Sequence, residues 1–192
     1  VRQVIVFTGT SLISLAPNDG KLYWRYPWVT SLFVNAATPI FIPENKIFIS
    51  SSYDKGAALV QVQAGNGRAT VQPVWVNKAM KNHFASSILH ESYLYGFDDF
   101  LLTYLEVSTG KTKWQQRGFQ KGSLIFADGH LLVLGERGNL ALVEATPAVY
   151  SEKANAQILK GKCWTMPSLA NGKLYLRNEK EMLCLDVTGR NL

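Results

Sequence analysis

Residues 106–114 read EVSTGKTKW, and Gly110-Lys111-Thr112 has the ending of a phosphate-binding loop. Such a loop, G-x-x-x-x-G-K-[ST], wraps phosphates with the backbone N–H groups of a glycine-rich turn. Its first glycine must stand five residues before the second. Leu105 is there instead, within the apolar run Leu101-Leu102-Thr103-Tyr104-Leu105. The tripeptide therefore lacks the flexible half that phosphate chemistry needs. Asp98-Asp99 is the one adjacent carboxylate pair, and it falls where YLYGF and LLTYL require a turn, so a turn is expected there rather than a metal site. Glu179 and Glu181 flank a similar turn before MLCLD. His83 and His90 lie near Ser86 and Ser87 without the local signature of a nucleophile and its base, and read as surface or edge residues. Cys163 and Cys184 form no C-x-x-C pair and have no histidine at metal-ligand spacing, which predicts two buried free thiols.

What positions these residues is a repeat. Apolar strands lead into turns at Gly20, Gly67, Gly110, Pro147 and Gly189, and the spacings between them are 47, 43, 37 and 42 residues. Before each of the last four stands a turn and a short apolar strand: ENKIFIS, ESYLYGF, DGHLLVL and NGKLYLR. A third strand precedes those: ATPIFI, ASSILH, GSLIFA and TMPSLA. Each unit thus holds four short antiparallel strands, and no stretch has room for a helix per unit. That period and strand count predict an all-β propeller of four-stranded blades. The expected blades are residues 1–30 (partial), 31–80, 81–120, 121–162 and 163–192 (partial), about four and a half of a 7–8-bladed ring. The open edges would associate with missing blades or another copy. The chain opens inside a strand, which suggests sequence upstream.

Composition agrees. Of 192 residues 47% are apolar and 18% charged, and 15 glycines with 22 aromatics favour turns and strands. The net charge of +6 comes from lysines scattered along the chain, such as Lys78, Lys121 and Lys162, not from the stripe a nucleic-acid footprint needs. No run of 18 apolar residues could span a membrane, and no signal peptide is visible.

LEVSTGKTKW resembles the blade repeat of the pyrroloquinoline-quinone-binding-like (PQQ-like) propellers, whose signature is A-x-D-x-x-T-G-K-x-x-W. SSILHESYLYGFDDFLLTYLEVSTGKTKW and TMPSLANGKLYLRNEKEMLCLDV resemble its longer form. The resemblance implies that Trp24 and Trp114, each four residues after a glycine, dock neighbouring blades, and Trp75 less directly. It places the repeat's acid at Glu106, Glu144 and Asp186, with Ala16 a departure in the first unit. It implies a periplasmic or cell-surface home and a non-catalytic scaffold for protein partners in cell-envelope assembly, with no cofactor. The alternative it carries is a piece of a quinoprotein dehydrogenase holding PQQ with calcium. The adjacent cysteines common in such enzymes are absent from this chain.

Asn35, His83, Lys121 and Trp164 each stand just before the first strand of a unit. In a propeller such segments lie at one ring face, so these four are the expected face or channel-mouth residues.

Overall fold

The computed structural model describes residues 2–65 and 68–189, and among them there is no helix. Five antiparallel sheets follow one another along the chain. The first contains β1 (Val4–Phe7), β2 (Ser11–Leu15) and β3 (Leu22–Pro27). The second contains β4 (Ile40–Ile42), β5 (Lys46–Ser51), β6 (Gly56–Gly65) and β7 (Arg68–Asn77). The third contains β8 (Ile88–His90), β9 (Tyr93–Asp98), β10 (Leu101–Glu106) and β11 (Thr112–Gln116). The fourth contains β12 (Ser123–Ala127), β13 (His130–Leu134), β14 (Asn139–Glu144) and β15 (Glu152–Gln157). The fifth contains β16 (Ser168–Ala170), β17 (Lys173–Arg177) and β18 (Met182–Asp186). Strand order within each sheet is sequential, which is the blade topology of a propeller.

The core lies between sheets. Side chains alternate along a strand, so a sheet sandwiched by two others buries both faces and reads as a continuous apolar run. In the second sheet Ile47, Ile49, Ala58 and Val60 pack on Leu12, Trp24 and Trp28 of the first sheet and the segment after it. Phe48, Ala57 and Leu59 point the other way, onto Leu94, Leu105 and Val107 of the third. Tyr95, Phe97, Leu102 and Tyr104 meet Leu124, Leu131, Val133 and Ala141 of the fourth. The last junction is Leu134, Leu159 and Cys163 with Leu174 and Leu176.

The closing turns repeat in atomic detail. Gly110 N–H donates to Glu106 O at 2.9 Å and Glu106 N–H to Lys111 O at 3.0 Å. Gly20 and Ala16 make the same pair of bonds at 3.0 and 2.8 Å. Both glycines have positive φ, 68° at Gly110 and 71° at Gly20, which a side chain would disfavour. Gly189 also has positive φ, 69°. Gly67 lies outside the described residues.

One register feature recurs in four sheets. The last hairpin carries a β-bulge, and the residue just before it pairs Ser14 with Trp24, Leu59 with Trp75, Tyr104 with Trp114, and Leu142 with Ala154. Trp75 is therefore the register equivalent of the other two tryptophans. Its distance from a glycine differs because the β6–β7 ladder continues to Gly65–Arg68. The fourth sheet has alanine where the first three have tryptophan.

Candidate functional site

Antiparallel order fixes which loops share an end. In the second to fifth sheets the first-to-second turns and, where there is a fourth strand, the third-to-fourth turns lie at one end, and the β2–β3 turn of the three-stranded first sheet lies there too. The second-to-third turns of those later sheets, the β1–β2 turn of the first, and the connectors running on to the next sheet lie at the other. The first end is the turn face, the second the connector face.

The turn face is occupied by interlocking. Trp75 Nε1–H donates to Val107 O at 2.8 Å, and Asn77 Nδ2–H to Gly110 O at 2.7 Å, both across the junction of the second and third sheets. A Cβ on Gly110 would stand 2.8 Å from the Trp75 ring and 2.6 Å from Asn77 Nδ2. One sheet further on, Trp114 Nε1–H reaches Thr146 O at 3.3 Å, and its ring stacks on Tyr104 at 5.4 Å and 8°. Trp24 packs its ring into the first junction, but its N–H bonds Gln3 Oε1 at 3.2 Å within the first sheet.

The repeat's acids lock these turns. Glu106 accepts from Thr109 Oγ1 at 2.6 Å and pairs with Lys113 Nζ at 3.3 Å; those bonds hold its carboxyl below the usual range. Glu144, held by Lys153 and Ser151, is lowered in the same way. Asp186, held by Thr188 and Lys173, is lowered further. Lys111 itself is solvent-exposed.

On the connector face, side chains from three connectors and three turns converge. His83 and Phe84 come from the connector between the second and third sheets, and Trp164 from that between the fourth and fifth. The Phe84 and Trp164 rings stack at 5.0 Å, and the His83 and Trp164 rings meet edge-on at 5.5 Å. Tyr53 OH is 3.3 Å from His83 Nε2. Lys121 Nζ lies 5.6 Å from the Phe100 ring and 6.0 Å from that of Trp164, and Lys162 Nζ 4.7 Å from Trp164. Trp164 Nε1–H donates to Glu136 Oε1 at 3.0 Å. Trp164 remains 39% exposed and Phe100 57%. So His83, Lys121 and Trp164 share one cluster. Asn35 lies on the same face but is occupied in holding its own connector: it donates to Thr8 O at 2.8 Å and accepts from Ser51 Oγ at 2.6 Å.

His83 carries the electrostatic signature of the cluster. Burial, then the Lys121 ammonium, push its imidazole below the ordinary value, against the pull of Asp99 and Glu136. Its Nδ1 is buried without a hydrogen-bond partner among the described residues. A histidine lowered by folding binds fewer protons in the folded than in the unfolded state. Its contribution is present above about pH 6.5 and is lost as pH falls through the lower folded value. The unfolding midpoint should therefore drop as pH falls below about 6.5, and less so in His83→Gln, measured by thermal melts across pH 5–8. Equal pH slopes in both proteins would contradict this environment for His83.

The other residues with chemical potential are occupied. Lys81 Nζ clips Asp98 at 3.2 Å and Asp99 at 3.3 Å, and Ser52 Oγ–H donates to Asp99 at 2.6 Å. Burial alone would depress the Lys81 ammonium, but the two carboxylates outweigh it. Ser86 Oγ accepts from Thr38 N–H at 2.8 Å and Ser87 Oγ from Asn82 Nδ2–H at 2.8 Å, and the His90 ring lies tilted against that of Phe126 at 4.3 Å and 30°. Among the described residues no group of three or more His, Cys, Asp or Glu is placed to hold a metal ion, and no helix is long and apolar enough to cross a membrane.

The thiols differ from expectation. Cys163 is buried in the last junction and burial raises its pKa, whereas Cys184 is exposed. Strand alternation explains this: Leu183 and Leu185 of β18 point to the core and Cys184 points away. Native protein should release one thiol equivalent rapidly to a disulfide reagent and the second only on unfolding, with Cys184→Ser abolishing the fast phase. Two fast equivalents would contradict the burial of Cys163.

Three solved structures share this architecture. BamB from Moraxella catarrhalis matches with a TM-score of 0.59 and 14% identity over 95% of this chain and 66% of its own. The computationally designed Ika8 protein matches with a TM-score of 0.57 and 12% identity over 90% and 54%. Citrobacter koseri AztD matches with a TM-score of 0.56 and 11% identity over 97% and 56%. The chain thus spans just under two thirds of the first and little more than half of the other two. No curated protein sequence matches the chain. A family model described as outer membrane protein assembly factor BamB matches residues 1–116. With this match over more than half its length, on a fold of blade-like sheets, the chain belongs to the BamB family of PQQ-like β-propellers.

Proposed function

We propose that the chain is a non-catalytic propeller scaffold that holds protein partners during assembly at the cell envelope, using its connector face. The observation that carries this is the cluster of His83, Phe84, Phe100, Lys121 and Trp164, drawn from separate connectors and turns and left partly exposed. Aromatic rings with adjacent cations are the composition of protein-docking centres. The neighbouring serines, aspartates and His90 are bound up in structural contacts, as described above. The envelope setting, periplasmic or at the cell surface, is inferred from the family's description as an outer membrane protein assembly factor. The proposal includes no quinone, calcium or other cofactor.

The test uses the complete protein in its own cells. Trp164→Ala combined with Lys121→Glu should leave its abundance unchanged while lowering the amount of folded outer-membrane barrel protein, read by heat-modifiable mobility on gels. Normal barrel levels at normal abundance would remove the reading. So would quinone-dependent dye reduction with calcium and an alcohol, which would move the chain to the dehydrogenase class.

A further inference from the structure

At one place the interlocking of the turn face leaves an opening. At the junction of the third and fourth sheets that end is packed with rings: Tyr93 and Tyr104 stack at 4.7 Å, Trp114 lies on Tyr104, and Tyr150 meets Trp114 edge-on. Register gives the matching positions one junction earlier. Tyr104 pairs with Tyr95 and Trp114 as Leu59 pairs with Phe48 and Trp75. Tyr93 stands opposite Glu106 as Lys46 stands opposite Gln61. Leucine and lysine therefore hold the places that two tyrosines hold in the next sheet. The space left is a cavity of about 300 Å³ between the second and third sheets. Its floor is Ile42, Leu59, Leu89 and Val107, and its rim carries Glu44, Lys46 and Glu91.

The rim sets the sign of charge. Lys46 Nζ is paired with Glu44 at 2.6 Å, whereas Glu91 pairs with no cation among the described residues. Two carboxylates against one ammonium leave the rim negative. Glu91 also departs from the pattern of its turn. It is the first residue of the two-residue turn joining β8 to β9, with φ 54°. The matching residues in the fourth and fifth sheets are Asp128, φ 47°, and Asn171, φ 51°. Asp and Asn tolerate this left-handed conformation better than glutamate does. A longer acid kept at that cost points to a use for its carboxylate. We propose that the cavity binds a small amphipathic cation: a primary amine on a short arm that carries one ring or branched apolar group. The apolar group fills space that tyrosine rings occupy at the next junction, and the ammonium meets Glu91. The volume is at the low end for ligand pockets, which limits the ligand to about that size. This site is independent of the scaffold reading and of the connector face.

The test titrates the complete, isotope-labelled protein with phenethylamine and follows backbone amides by NMR. The amides of Leu89, Ser92, Val107 and Ser108 should shift and saturate, with a dissociation constant of about 1 mM or tighter. Phenethyl alcohol, the same ring without the charge, should bind about threefold more weakly. Hydrocinnamate, with the opposite charge, should bind more weakly still. Glu91→Gln should lower affinity for the amine about threefold and leave that for the alcohol unchanged. Lys46→Tyr puts a ring where Tyr93 has one in the next sheet. It should abolish binding of both compounds and melt no lower than wild type. No saturable shift, shifts confined to other parts of the chain, equal affinity for amine and alcohol, or undiminished binding of the amine by Glu91→Gln would each overturn the site. So would a folded Lys46→Tyr protein that binds as wild type does; if that variant does not fold, the Glu91→Gln comparison decides alone.

Discussion

Gly110→Val lowers the unfolding free energy by about 4 kcal/mol, the sum of left-handed strain and overpacking. A branched side chain at φ 68° is unfavourable by itself. Here the added atoms would also meet the Trp75 ring at 2.8 Å and Asn77 Nδ2 at 2.6 Å, breaking the contact between the second and third sheets. Gly20 supplies the control. Its turn has the same bonds and φ 71°, but nothing among the described residues lies within 4 Å of its would-be Cβ. Gly20→Ala should therefore cost only the strain, about 1 kcal/mol. Urea titrations of the two variants separate strain from packing. Equal losses would mean that the turn at Gly110 is not pressed against the preceding sheet.

Trp114→Ala should lower stability by about 3 kcal/mol, mainly through loss of buried ring area. The indole stacks on Tyr104, meets Tyr150 edge-on at 5.7 Å and donates to Thr146 O. The ring is also the cover over Tyr104, whose hydroxyl is buried without a hydrogen-bond partner among the described residues and whose pKa burial pushes far up. Trp114→Phe keeps an aromatic ring and should recover most of the loss, leaving the indole hydrogen bond, about 1 kcal/mol. Tyrosine fluorescence and denaturant midpoints read both variants. A Phe variant as unstable as the Ala variant would show that the hydrogen bond, not the stack, holds this junction.

Much of this was legible in the sequence, for physical reasons. Turn chemistry is local, so Gly110 and Gly20 announced themselves, and alternation within both-face-buried strands gave apolar runs such as YLYGF and LLTYL. Leu105 ruled out a phosphate loop by its position alone, and Glu106, the acid that the resemblance assigns to the repeat, is the lock of its own turn. What is set by register was harder to see. Trp75 stands opposite Leu59 just before a bulge, as Trp114 stands opposite Tyr104, but the longer β6–β7 ladder hides this from any count based on glycine. Cys184 was misread because an apolar strand looks uniformly buried until one knows that one of its faces is uncovered. The contact of His83 with Trp164 joins distant parts of the chain, so no local pattern could show it. Leu32-Phe33-Val34 resembles the start of a strand, and only the fold places it on a connector.

The central claim is a division of work: the turn face holds the sheets together, and the connector face presents side chains to partners. Thermal unfolding of Trp75→Ala beside Trp164→Ala tests it most directly. Trp75 spans a junction and should cost about 4 kcal/mol, a fall in Tm of roughly 10 °C for a chain of this size. Trp164, partly exposed on Phe84, should cost about 1 kcal/mol, a fall of roughly 3 °C. Equal falls, or a larger one for Trp164→Ala, would contradict the account.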